Sequence, residues 1–398
     1  MPTPRQLFLQ QMAQTSATPL LLEIVRAEGA YMYNAEGKAI MDLISGIGVS
    51  NVGHRHPKVI AAIEAQLQQY LHLMVYGEVV QEPQLRLASA MQATLPHDKL
   101  NSFYFLNSGS EAIEAAIKLV RKATGRNEIV TCIDAYHGSS TGALSASGNE
   151  FFKQNYRPLL PGFRHIQFNE EADFKHISCR TAAVIIETVQ GEAGVQVANP
   201  GYFKALKTHC EYVGALLVLD EIQCGAGRTG KVWAFEHEGI VPDVLVTAKG
   251  MGGGMPIGAL ISSKELMTTF MENPFLGHIT TFGGHPVSCV AAAAAFEVIT
   301  EAGLLENIER KAELFKAQLK HPAIRSIRNK GLLMAVEFES YAVLKSIIDL
   351  AIEKGLLTDW FLFNDKSMRI APPLTITEEE VNTACQIINQ VIVEVIGN

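Results

Sequence analysis

The feature that most constrains this chain is a series of short apolar segments between residues 103 and 263. They are "FYFL" (103–106), "EIVTCI" (128–133), "RHIQF" (164–168), "AAVIIETV" (182–189), "ALLVLDEI" (215–222), "DVLVTA" (243–248) and "IGALISS" (257–263). Each has strand length, and most are apolar from end to end rather than on alternate residues. Strands patterned this way are buried on both faces, the condition of a mostly parallel sheet covered by helices. Helical patterns lie between them. "SEAIEAAIKLVRKATG" (110–125) and "YFKALKTHCEYVG" (202–214) repeat their apolar residues at the helical period and end on glycine. The last two strands are joined only by a short glycine-rich loop, so that pair is expected to run antiparallel and make the sheet mixed.

After residue 285 a long helical pattern, broken near Gly303, leads out of the sheet. "GLLMAVEFE" (331–339), a helix around 341–354, "SMRIAPPLTIT" (367–377) and a final helix form a smaller α/β unit, which the β-like pieces of residues 1–50 join. The expected organisation is therefore α/β, with a large domain over 51–290 and a small domain built from 1–50 and 291–398.

Composition narrows the function. Apolar residues are 48% of the chain, enough for a large core, and the net charge of −8 gives no surface that tracks a phosphate backbone, so nucleic acid is not the expected partner. No run approaches the ~20 apolar residues of a membrane span. The start, "MPTPRQLFLQQMAQTS", lacks the apolar core of a signal peptide. The six cysteines are widely spaced without a C-x-x-C pair, as reduced core thiols are. A cytoplasmic protein is the expectation. His54 and His56 of "GHRHP" stand apart from any Cys, His or carboxylate cluster, so they are expected to form a polar turn before a helix, and no metal is expected.

In open α/β sheets, ligands bind beyond the C-terminal ends of the strands. Several residues fall at such ends. Ser108, Gly109 and Ser110 open a helix, where free N–H groups and the helix dipole favour a phosphate; Ser108-x-x-Glu111 is equally a capping box. Asp220 and Glu221 end an apolar strand, where a carboxylate needs a positive partner or serves as a loop anchor. Lys249 ends another, before Gly250, Gly252, Gly253 and Gly254; it either snorkels to solvent or keeps a desolvated amine with a perturbable pKa. Tyr136 of "YHG" offers an aromatic face that stacks on a ring or packs within its turn. A phosphate seat, an acid and a lysine together match the needs of pyridoxal phosphate. A rival pattern, Gly225-x-x-x-x-Gly230-Lys231, nearly spells a nucleotide-binding P-loop. It continues with Val232 where Ser or Thr must hold Mg²⁺, and a poor helix follows.

With "LDEIQCGAGRTGK" and "AKGMGGGMPIGA" at this spacing, and from "GHRHPKV" to "APPLTIT", the chain resembles the class III (omega-amino) aminotransferases. These are pyridoxal-phosphate enzymes of fold type I, the aspartate-aminotransferase-like fold. The resemblance implies that Lys249 carries the cofactor, Asp220 faces its pyridinium nitrogen, Gln223 bonds near its phenolic oxygen and Tyr136 stacks on the ring. Gly109 and Ser110 would hold the phosphate. Thr281 of "HITTFGGHP" would reach the phosphate of a neighbouring subunit, making a homodimer with a shared site. Arg369 would bind a substrate carboxylate and Glu192 would pair with Arg369 until a dicarboxylate arrives. The implied reaction moves the terminal amino group of an omega-amino acid to 2-oxoglutarate.

Departures bear on the donor. Ser139 stands where the acetylornithine and ornithine branch has arginine, and Ile47 where ornithine-specific enzymes have tyrosine. Ile279 and His285 replace a usual glycine and asparagine near Thr281. An acetylornithine-like donor is favoured over ornithine, lysine or 4-aminobutyrate. Arg157 or Arg164 could replace the missing arginine. Decarboxylation or aminomutation on the same fold stays open at this stage.

Overall fold

The computed structural model describes residues 2–95 and 99–397. Its central sheet has seven strands in the order Ser102–Leu106, Gly258–Ser262, Val244–Ala248, Leu216–Asp220, Thr181–Glu187, Glu128–Cys132 and Phe163–Ile166. Gly258–Ser262 is antiparallel to both neighbours, and the other pairings are parallel. The short loop after Lys249 thus makes the mixed pair its length implies.

The uninterrupted apolar pattern has a direct cause. Side chains alternate across a strand, and here both sides are core. Leu217 and Leu219 pack with Phe203, Trp233 and Phe296 on one face, while Val218 packs with Ile113 and Ile117 on the other. Leu245 and its neighbours Val244 and Val246 divide in the same way. Helix Gly109–Thr124 lies on the second face, buries Ala112, Ala115 and Ala116, and ends at Gly125 in the left-handed conformation (φ 68°). The small alanines let the helix lie close to strands Val244–Ala248 and Gly258–Ser262.

Helix Pro286–Ile299 is buried almost along its whole length and packs against helices Pro57–Leu67 and Glu82–Gln92. Contrary to the expectation that this segment leads out of the sheet, it belongs to the sheet's core as far as Ile299. Its alanine run, 291–295, is what lets three helices approach. The chain leaves only at Gly303 (φ 92°).

Beyond it, strands Ser326–Lys330, Leu333–Glu337, Asn364–Ile370 and Trp360–Phe361 form an antiparallel sheet. Helices Ile308–Gln318, Tyr341–Glu353 and Glu378–Ile396 cover it. The strands near the start of the chain, Ile24–Glu28, Tyr31–Asn34 and Ala39–Asp42, make a small sheet that Leu356–Leu357 joins in parallel. Met41 and Leu43 share a core with residues 308–392.

Arg228 ties the two units together. It is fully buried and donates to Asn51 Oδ1 on one side and to the carbonyls of Leu332 and Pro372 on the other. The stretch 225–231 is a run of turns, followed by the 3-10 turn Ala234–His237. It offers no helix N-terminus for a phosphate, so the P-loop pattern is not a nucleotide site. His56 caps the helix that follows it, and His54 bonds to Asp42 at 2.9 Å. All six cysteines are free, and Cys179 is the exposed one. Among the described residues, no helix is long and apolar enough to cross a membrane.

Gly258 sits where the antiparallel strand passes under the start of helix Gly109–Thr124. A Cβ there would lie 2.2 Å from the Ser108 carbonyl oxygen. Gly258→Ala is expected to destabilise the fold by about 1–3 kcal/mol through overpacking against backbone. A lowered urea midpoint reads this; an unchanged midpoint contradicts the close approach.

Candidate active site

A cavity of about 420 Å³ opens at the C-terminal ends of the sheet strands. Ser108, Gly109, Ser110, Tyr136, Asp220, Gln223, Glu192 and Lys249 all line it. Three other candidate residues do not. Arg369 lies behind Glu192. Ile47 sits in a left-handed turn, Ser45–Gly48, at φ 66°, and the neighbouring Val49 reaches the cavity instead. Thr281 is exposed, outside the cavity of its own chain.

Lys249 ends strand Val244–Ala248 in a left-handed conformation, φ 47°. That region is costly for a residue with a side chain and is kept where function requires it. Burial lowers the pKa of its amine; Arg369 adds to the lowering, while Glu192 and Asp220 oppose it.

Asp220 ends the neighbouring strand in register with Glu187. Its Oδ1 accepts from the Ile222 amide (3.0 Å), and its Oδ2 lies 2.7 Å from Nδ1 of the fully buried His137. Burial alone would lower the pKa of His137, but the hydrogen bond and charge of Asp220 raise it. The pair is thus a carboxylate backed by a cationic or hydrogen-bonded imidazole. The adjacent Glu221 points elsewhere. It accepts from Thr188 Oγ1 (2.9 Å) and from the amides of Ala234 (2.7 Å) and Phe235 (2.6 Å). Of the two acids, Asp220 faces the cavity and Glu221 anchors the loop.

At the helix start, Ser108 accepts from the Glu111 amide (3.2 Å), while Glu111 turns its carboxylate to Asn107, giving only half of a capping box. The first-turn amides of a helix have no intrahelical partners. A Cβ on Gly109 would meet Ile222, and one on Gly138 would lie 2.2 Å from Ser110 Oγ. These glycines let two loops and the helix start converge.

Glu192 is held on every side. Arg369 donates to both its oxygens, Nη1 to Oε1 at 2.8 Å and Nη2 to Oε2 at 3.1 Å. Gln223 Nε2 (3.0 Å) and the Leu362 amide (3.0 Å) complete the set. Burial would raise its pKa, but the charge and hydrogen bonds of Arg369 bring it to about 2. Arg369 is held in turn by Asp359 (Nε to Oδ1, 2.9 Å) and by the ring of Phe361. Arg157 and Arg164 pair with Glu150 and Glu128 instead, away from the cavity.

Sequence reasoning missed two buried residues. Glu187 accepts from the amides of Tyr136 (3.0 Å) and Gly191 (2.9 Å), fastening the loops that carry Tyr136 and Glu192. Burial pushes its pKa up to about 7. His137 is the other. Both were findable: an acid ends "AAVIIE" as one ends "LLVLD", and a histidine follows the tyrosine at a strand end.

The site fits pyridoxal phosphate. Lys249 would supply an amine of lowered pKa, Asp220 an anion for a cationic ring nitrogen, and the helix start a phosphate seat. Gln223 Oε1 is buried without a partner in a cavity wall, where a ring hydroxyl would satisfy it.

Residues 12–392 match the family model "Aminotransferase class-III". The chain is 37% identical over 390 residues to the acetylornithine aminotransferase of Caldanaerobacter subterraneus subsp. tengcongensis, covering 95% of each. Among solved structures it is similar to the ornithine aminotransferase of Toxoplasma gondii, one form of which has partial occupancy of PLP at its active site (29% identity, TM-score 0.90, 99% of this chain and 95% of that one). It is also similar to an (S)-enantioselective omega-transaminase from Thermomicrobium roseum (26% identity, TM-score 0.90, 100% of each chain). The chain belongs to the class III aminotransferases, fold type I enzymes that transfer amino groups with pyridoxal 5'-phosphate.

Proposed function

We propose that this enzyme moves the terminal amino group of an omega-amino acid to 2-oxoglutarate, with an acetylornithine-like donor, as a homodimer whose subunits complete each other's sites. The observation that carries the proposal is the buried Glu192–Arg369 pair beside Lys249. It gives one cavity two charge states, one for each substrate.

In this reading the amides of Gly109 and Ser110 would hold the cofactor's phosphate, with Ser108 closing the turn and Thr281 of a second copy reaching over it. Asp220, backed by His137, would keep the ring nitrogen positive. Tyr136 would stack on the ring and Gln223 would bond its hydroxyl. Bound pyridoxal phosphate then supplies the electron sink for charge left on the donor carbon when its proton departs. Lys249 would take that proton and return it elsewhere; burial lowers its pKa and so favours the neutral amine that a base requires. While the donor is bound, Glu192 neutralises Arg369. When the 2-oxo acid enters, its carboxylate takes the bidentate place on Arg369 and Glu192 swings clear. The guanidinium is paired throughout, which avoids the cost of a buried unpaired charge.

Three outcomes are expected. Lys249→Ala abolishes glutamate formation and leaves no pyridoxyl adduct at that position after borohydride reduction, while Lys231→Ala retains both. An adduct in Lys249→Ala contradicts the assignment. With Glu192→Ala, Arg369 is freed to receive alpha-amino acids directly. The preference for glutamate over omega-amines in the donor half-reaction then rises by about tenfold or more, the worth of one charged hydrogen bond. An unchanged preference removes the switch from the account. Turnover on the best donor yields glutamate with no CO₂; release of CO₂ points instead to a decarboxylase.

A further inference from the structure

Outside the cavity, two turns carry large apolar side chains where turn chemistry favours Gly, Asn, Asp or Ser. Leu362 and Phe363 are the two residues between strands Trp360–Phe361 and Asn364–Ile370. Phe151 and Phe152 form part of a turn after Asn149. Phe151 is 76%, Leu362 42% and Phe152 37% accessible, and Phe363 is half-buried. An exposed apolar cluster of this kind marks a binding surface.

The two turns meet. Phe152 packs edge-on against Phe363 at 5.2 Å, and Phe151 against Phe152 at 5.7 Å. Trp360 and Tyr341, 5.4 Å apart, line the same groove, whose volume is about 680 Å³. The groove borders the active-site cavity: Phe363, which lines the groove, lies 6.3 Å from the ring of Tyr136, which lines the cavity. Its tip is fastened to the switch: the Leu362 amide donates to Glu192 Oε2 and the Phe363 amide to the Glu192 carbonyl, each at 3.0 Å. No lysine or arginine lines the groove, and its charged group is Asp365. A carboxylate-bearing tail would find no cation there and one like charge. An apolar tail would find aromatic faces and edges.

We infer that this groove is the subsite for the far end of the amine donor, and that it takes an uncharged apolar group of about the size of an aromatic ring. The inference rests on the donor reading given above and specifies its acyl end. The donor is an omega-amine whose distant nitrogen carries a bulky apolar acyl group rather than an anionic one.

The test uses the holoenzyme with 2-oxoglutarate and three donors that differ only in the acyl group: Nα-acetyl-, Nα-succinyl- and Nα-benzoylornithine. The benzoyl donor is expected to exceed the succinyl donor in kcat/KM by about tenfold or more, with acetyl between them. Phe363→Asn, a substitution the turn tolerates, is expected to bring that ratio near unity. A succinyl donor equal to or better than the benzoyl donor overturns the inference. So does a ratio that Phe363→Asn leaves unchanged, and a change of oligomeric state in that variant would then mark the groove as a subunit contact. If none of the three reacts while 4-aminobutyrate yields glutamate, the subsite falls and the transamination reading stands. If no amine alters the cofactor spectrum, the transamination reading itself fails.

Discussion

The ion pair between Glu192 and Arg369 is the constraint on which the rest of the site turns. Arg369 comes from the small antiparallel sheet and Glu192 from a loop of the large unit, and both are almost wholly buried. Removing one partner of a buried pair leaves the other undercompensated; without Glu192, Arg369 keeps only its single ion pair with Asp359. Full compensation of Arg369 therefore requires a bidentate carboxylate at that place. That requirement fixes the loop through Leu362, orients Gln223, and contributes opposing charges to the surroundings of Lys249. It also makes the site a receptor for any substrate that brings a carboxylate of its own.

Around this pair the electrostatics are layered. Asp220, Glu187 and Glu192 are acids close to Lys249, answered by His137 and Arg369. Their environments set them apart. Glu192 is held ionised by a guanidinium, whereas Glu187, burdened by burial and the nearby Asp220, sits near neutrality. Groups of one chemical type whose pKa values are pushed apart in one cavity are a mark of an active site.

Much of this was legible in the sequence, for definable reasons. The strands could be read because both faces of the sheet are core, so Leu217, Val218 and Leu219 are all apolar. Lys249 stood out because a charge at the end of such a run is expensive. What could not be read depended on register or on distant segments. Nothing local distinguishes Asp220, which faces the cavity, from Glu221, which anchors a loop; their side chains simply leave the chain in opposite directions. Glu187 is legible as an acid that ends a strand, but its place beside Asp220 comes from strand register. Arg228 resembles part of a phosphate loop in sequence, yet it holds carbonyls from residues more than a hundred positions away. The alanine-rich helix 286–299 reads as a connector because its burial comes from two other helices.

The most direct measurement is a crystal structure of the cofactor-loaded enzyme with glutarate, which has the carboxylates of the acceptor but no reactive carbonyl. The account predicts glutarate bidentate on Arg369, with Glu192 turned out of the cavity and the tip at Leu362 displaced. Glutarate bound elsewhere, with the Glu192–Arg369 pair intact, would contradict it.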